Sequence, residues 1–434
     1  MSTEMIGLLG AIAVIVLICC RVWVGFALDL VGFVGLIILR DTSFALSVLG
    51  SAPFQNVNGY TMTVLPMFTL MGMFIAESRI GAGLYRLCNA FIGRFRGGLA
   101  SATVVACGVL GAITGGQYGA TVIMSKIALP EMRKVNYDDE LSCGSIAAGS
   151  PLAIIIPPSV PMIAFGILTE SSVGKLFIGG LIPGIICVVV FCITIWLICL
   201  KNPKLGPKGP KSSTKEKLAS IKGVIPIAIL IVVVLVSIYT GVCTTTECGA
   251  LGAVGAFLIA LFMGDVNWGM IKRSFISTAK TTGMIIFLLA GTYVFVNFIA
   301  VSKLPAAVTR LVVSLNAPHF VIMLAVLILY FLLGMIMPEI PIMMLTVPIL
   351  WPAMDALGMS PIWFGVIVVM MLALGGITPP VGMVAYILSG ASKVDVMKIF
   401  KGCLPFIIAE VIVIFACMMI PELVTWLPNM MSGG

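Results

Sequence analysis

Ser150-Pro151-Leu152-Ala153-Ile154-Ile155-Ile156-Pro157-Pro158-Ser159, and much later in the chain Gly375-Gly376-Ile377-Thr378-Pro379-Pro380-Val381-Gly382, decide how this protein folds. Each interrupts a long apolar run with a Pro-Pro pair. Proline has no N–H with which to continue a helix, so both runs must contain non-helical backbone. Such backbone is tolerated at membrane depth only where it is buried in protein or lines a cavity. Freed carbonyls can then ligate a cation, and helix N-termini beside them can receive an anion's carboxylate. A proline kink explains either motif alone; two at matching places point to a binding site.

Composition fixes the surrounding medium. Of 434 residues, 60% are hydrophobic and 10% charged, against about 25% charged in soluble domains. Apolar runs recur along almost the whole length with short polar breaks, which describes one polytopic, all-α membrane domain. The run Met5 to Cys20 has an acidic start and no small-residue cleavage site, so it reads as a retained span. A net charge of +8 reflects topology, since the basic residues sit in short loops and form no patch for nucleic acid. Twelve cysteines lie mostly inside apolar runs as small hydrophobes. No Cys/His spacing suggests a metal, and His319 has no evident partners. Cys243 and Cys248 share a short loop, where either a disulfide or two thiols at a span end is possible.

Orientation follows from the stretch 201–222, which holds seven lysines, Glu216 and the breakers Pro203, Pro207 and Pro210. It is a linker, cytoplasmic by the positive-inside rule. Counting back, 176–200 and 142–166 are spans. The run 99–128 is broken by Thr114-Gly115-Gly116-Gln117 and folds as a re-entrant helical hairpin opening to the cytoplasm. Spans 61–82, 22–40 and 5–20 precede it, leaving the N-terminus outside. Counting forward, spans 223–240 and 249–264, a basic segment 265–280 and span 281–302 lead to 319–353. That run, interrupted by Met337-Pro338-Glu339-Ile340-Pro341, folds as a second hairpin opening outside. Spans 361–390 and 402–427 follow, with the C-terminus outside. This scheme leaves only Arg40, Lys175, Lys303 and Arg310 of the 25 basic residues outside the cytoplasm, an asymmetry that supports the hairpins as well as the orientation. Each half thus pairs a broken hairpin with a Pro-Pro-broken span, and the halves have opposite topology. Inverted structural repeats of this kind belong to secondary transporters with midplane sites.

Several residues carry the candidate chemistry. Gly111, Gly115 and Gly119 recur every four residues at the first tip, a face that permits close packing; Thr114, Gln117 and Thr121 add polar groups that packing does not require. Glu339 lies between two prolines in the second tip, where an intramembrane acid is a functional candidate, unless it reaches outside water. Asp29 and Glu410, in unbroken runs, read as members of interhelical pairs. Ser172 and Lys175 match S-x-x-K by chance, without the companion motifs of acyl-transfer enzymes. There is no G-x-x-x-x-G-K-[ST], so no P-loop ATP hydrolysis. A channel would show rings of acids, and an intramembrane enzyme a paired nucleophile and base; neither is present.

With these motifs in place, the sequence resembles the large membrane subunit of the tripartite ATP-independent periplasmic (TRAP) transporters. The resemblance covers nearly the full chain and is most specific at Gly111–Thr121, Leu129-Pro130-Glu131-Met132, Ile156–Ser159, Thr169-Glu170-Ser171, Phe177 to Gly184 and Gly375–Gly382. It implies an elevator-type fold in the bacterial inner membrane. Residues 1–98 and 223–318, the latter with an amphipathic segment, would be scaffold. Residues 99–200 and 319–427 would be the two halves of a transport domain, joined across 201–222. It further implies no enzyme activity, no cofactor beyond sodium as coupling ion, and a small carboxylate or sulfonate as cargo. The implied partners are a periplasmic substrate-binding protein and a small membrane subunit, separate here because the chain starts almost directly with its first span. Family sodium sites map onto Thr114, Gly115, Gly149 and Ser150, and onto Met337, Glu339, Gly375 and Thr378. Substrate contacts map onto Thr114, Gly116, Gln117, Ser159, Thr378 and Pro379. Two departures stand out: Gln117 and Tyr118 occupy a tip usually richer in serine, implying an altered substrate preference, and Ala153 stands where glycine is common. A related ion-coupled organic-anion transporter that needs no binding protein is the runner-up.

Overall fold

A computed structural model describes residues 2–209, 213–315 and 317–431, with backbone only at 55–57, 60, 61 and 112–114. All regular structure among them is helical. Helix ends are set by local chemistry. Ser213 with Glu216, and Thr244 with Glu247, form reciprocal capping boxes that start Thr214–Thr240 and Thr245–Phe262 by satisfying otherwise orphaned N–H groups. Gly241 ends the first of these in the left-handed region at φ 72°, which glycine adopts without a Cβ penalty.

Among the described residues six helices are long and apolar enough to cross a membrane, and the pair Val64–Ala76 and Ile80–Ile92, bent by 67°, would make a seventh. Burial ranks them. The most apolar window of Asp139–Leu168 is 83% buried, against 28% for Val173–Lys201 and for Thr214–Thr240, so the Pro-Pro segment lies at the centre and those two lie at the rim. Pro361–Gly375 is likewise buried on nearly every side. Around this centre, Val24–Leu39 crosses Trp268–Ser302 so closely that a Cβ on Gly32 would sit 2.8 Å from the Phe295 nitrogen, and one on Gly291 would sit 2.4 Å from the Gly25 oxygen. Small residues let the two backbones approach.

The two interrupted runs become helix pairs, Gly98–Thr114 with Gln117–Lys134 and His319–Gly334 with Glu339–Ala356. Both Pro-Pro runs break as expected: Asp139–Gly149, Leu152–Ile155 and Val160–Leu168 in the first, Pro361–Gly375 and Met383–Ser392 in the second. Other expectations need correction. The linker is helical from Thr214, and the basic segment 265–280 is continuous from Trp268 with the span that follows it. The last span is interrupted at Ile420-Pro421, between Val396–Met419 and Glu422–Asn429. Thr42–Val57 is an additional helix to which the sequence reading gave no role. Asp29 and Glu410 form no ion pair among the described residues, and both carboxyl oxygens of the 1% exposed Glu410 lack a hydrogen-bond partner there. Cys243 and Cys248 are free thiols, with Cys248 Sγ 3.9 Å from the Cys243 carbonyl.

Candidate functional site: two helix-pair tips around a cavity

The break in the first pair is two glycines. Gly115 takes φ 64°, Gly116 is extended at φ −150°, and a new helix begins at Gln117 without a side-chain cap. The second pair breaks at 335–338, and Glu339 opens the next helix. An acid in a helix's first turn meets the positive end of its dipole. Its carboxylate also crosses to the other tip: Gln117 Nε2 donates to Glu339 Oε2 at 3.0 Å, and the Tyr118 hydroxyl donates to the same oxygen at 2.8 Å. Gln117 is 1% exposed and Glu339 7%, so these charge-assisted bonds form out of bulk water. Gln117 also rests on the second Pro-Pro run, where a Cβ on Gly376 would meet its Nε2 at 3.4 Å.

Each tip is stapled to the broken helix of its own half. The Val160 N–H donates to the Gly115 carbonyl at 3.3 Å, and the Gly382 N–H donates to the Met335 carbonyl at 3.2 Å. Val160 and Gly382 each stand two residues beyond a Pro-Pro pair whose peptide bond is cis. Close backbone contacts back both staples. A Cβ on Gly375 would lie 2.6 Å from the Gly334 carbonyl carbon, and one on Gly111 would lie 2.2 Å from Ala153 Cα. Ala153 is therefore accommodated by a glycine on the opposing helix. Of the glycine series, Gly111 packs as expected, whereas nothing lies within 4 Å of a Cβ built on Gly119.

That open side faces a cavity of about 690 Å³. Its wall takes Gly115, Gly116, Tyr118 and Gly119 from the first tip, Pro338, Glu339 and Pro341 from the second, and Val160 and Pro161 from beyond the first Pro-Pro pair. Thr69, Met73 and Glu77 of the bent pair, and Thr281, Met284 and Leu288 of the long helix, close the far side. Lys126 lines it two turns along from Tyr118 and forms no ion pair among the described residues, while Glu77 is paired with Arg273 at 2.7 Å.

Of the sites named from the sequence, Gly115, Gly116 and Glu339 are thus brought to one cavity, with Gln117 bonded at its edge. Gly149 and Ser150 lie off it: Gly149 packs on Cys107, and the Ser150 hydroxyl donates to the Ile146 carbonyl at 2.7 Å. The Ser159 hydroxyl donates to the Ile154 carbonyl at 2.6 Å and accepts from the Met162 N–H at 3.3 Å, serving as a helix cap. The Thr378 hydroxyl donates to Leu374 at 2.7 Å, while Met337 is buried and Pro379 half-buried away from the cavity. The Thr114 side chain lies outside the described residues. Gly115, Ser150 and Gly375 carbonyls each already accept one N–H, which leaves each a second lone pair for a ligand. No group of three His, Cys, Asp or Glu residues suited to a metal occurs among the described residues. Lys126, the two staples and the bond from Tyr118 to Glu339 escaped the sequence reading: that bond joins residues 221 positions apart and has no local mark, and the staples are backbone contacts that no side chain announces.

The sequence profile of the family described as "Tripartite ATP-independent periplasmic transporter, DctM component" matches residues 11–423. The chain belongs to that family. The C4-dicarboxylate TRAP transporter large permease protein DctM of Pseudomonas aeruginosa is 30% identical over 377 residues, spanning 87% of this chain and 88% of that one. The sialic acid TRAP transporter large permease protein SiaM of Vibrio cholerae is 27% identical over 415 residues, 94% of this chain and 95% of that one. Among solved structures, MtrF of Neisseria gonorrhoeae aligns at a TM-score of 0.61 with 12% identity, over 87% of this chain and 85% of that one, which shows a shared fold. This DctM-family chain is thus a transporter's large permease, a multi-pass membrane protein.

Proposed function

We propose that this permease imports a small organic acid, carboxylate or sulfonate, across the bacterial inner membrane by sodium-coupled elevator transport, drawing its cargo from a periplasmic binding protein and working with a small membrane subunit. The observation that carries this reading is the cavity closed between two helix-pair tips, each stapled to a Pro-Pro-broken helix of its own half. Matched staples support inverted repeats, and a cavity shared between tips and long peripheral helices supports movement of one body past the other. The arrangement at the linker supports re-entry of the first pair. The Gly97 N–H donates to Gly206, Asp138 to Leu205 and Gly209 to Gly93, all at 3.0 to 3.1 Å, so both ends of the pair meet the linker. Carbonyl-rich breaks, with no acidic metal cluster among the described residues, favour a monovalent, oxygen-liganded ion such as sodium.

The test is uptake into vesicles holding this chain with its small subunit and binding protein. Replacing external sodium by potassium is expected to abolish uptake. Equal uptake driven by a proton gradient alone would overturn the sodium reading.

A further inference from the structure

A carboxylate is an odd wall for an anion's cavity. Two uncapped helix N-termini, at Gln117 and at Glu339, converge on this region, and such termini are ready receivers of anions. Here the anion is the protein's own: Glu339 takes both donors at hand, Gln117 Nε2 and the Tyr118 hydroxyl, on a single oxygen. Two donors converging on one carboxyl oxygen favour its ionised form. With those donors used, what remains is an acceptor. Gln117, whose amide rests against Gly376, is not part of the cavity wall, so the acceptor offered to the cavity is the Glu339 carboxylate. Lys126, a cation with no ion pair among the described residues, lines the same cavity eight residues along the helix from Tyr118, about 12 Å at 1.5 Å per residue. Lysine's long stem shortens the gap, because helical side chains lean toward the N-terminus.

Resting on the reading of this cavity as the cargo site, we infer that the cargo is a zwitterion, an acid that also carries an ammonium group. The ammonium seats on Glu339, and the acid group turns toward Lys126, both of which line the cavity. An ammonium brings three donors and no acceptor, which suits the Glu339 carboxylate; a dianion of the same length would set one of its charges against it. Glu339 is then a specificity-determining residue and not a sodium ligand.

The test compares γ-aminobutyrate with glutarate, probes of equal backbone length that differ in one ammonium for one carboxylate, by thermal stabilisation of the purified full chain in sodium. The wild type is expected to bind γ-aminobutyrate at least tenfold more tightly. Glu339→Gln is expected to erase or reverse that ratio, and Glu339→Asp to keep it. The inference is overturned if glutarate binds as well in the wild type, if neither probe stabilises it, or if Glu339→Gln moves the half-saturating sodium concentration and leaves the ratio alone. The wild-type ratio requires no variant, so misfolding of Glu339→Gln leaves the test intact. Sodium-driven uptake in vesicles is read separately: if it persists while the probe ratio fails, only the zwitterion inference falls.

Discussion

Glu410 shows what one residue's surroundings can reveal that its sequence context does not. An acid in an unbroken apolar run suggests a partner on a neighbouring helix, and none is found among the described residues; both oxygens are buried and unbonded in the middle of Val396–Met419. Leaving a buried polar group unsatisfied costs about 1–3 kcal/mol, so replacing it by an apolar side chain of similar length should stabilise the protein. Glu410→Met is expected to raise the midpoint of thermal unfolding in detergent. A lowered midpoint would mean that the carboxyl has a partner in the working protein. The tip residues contrast with this. Glu339 was legible as a candidate because it stands between Pro338 and Ile340-Pro341 in an apolar run, but its partners Gln117 and Tyr118 belong to the other half of the chain, and no periodicity announces them.

At the scale of helices, the breaks were legible and the fits were not. Pro157-Pro158 and Pro379-Pro380 interrupt their runs because proline cannot donate, a strictly local rule. The matching of Gly375 to Gly334, or Gly111 to Ala153, depends on which backbones meet, which only the folded chain determines. The same holds for the 35-residue helix Trp268–Ser302, whose basic start looks like a loop on charge alone. These fits make a paired expectation. Gly375→Val places a side chain within 2.6 Å of Gly334 backbone, where relief requires parting the second tip from its broken helix; overpacking of this kind costs about 1–3 kcal/mol or more. It should lower the unfolding midpoint and abolish uptake. Gly119→Ala meets open space and should leave the midpoint unchanged. Equal tolerance of both would mean that the close contact at Gly375 is not maintained in the membrane.

For the whole molecule, the basic linker is the reference from which every other loop takes its side. Its residues Leu205, Gly206 and Gly209 bond to Gly93, Gly97 and Asp138, so the loops before and after the first helix pair share the linker's side, the one that the positive-inside rule expects to be cytoplasmic. The second pair also begins and ends together, since His319 and Leu357 line one cavity of about 570 Å³. If the halves are inverted, that end lies in the periplasm. The two ends can be told apart with a thiol reagent that does not cross membranes. In a background freed of the twelve native cysteines, Lys134→Cys, at the end of the first pair, should label only in inside-out vesicles. Ala356→Cys, at the end of the second, should label in right-side-out ones. Both positions are exposed and well away from the cavity, so labelling should report topology without disturbing transport. Labelling of both from one side would mean that one pair crosses the membrane rather than returning. The matched staples at Gly115 and Met335 would then be a likeness of local packing without the inversion that alternating access requires.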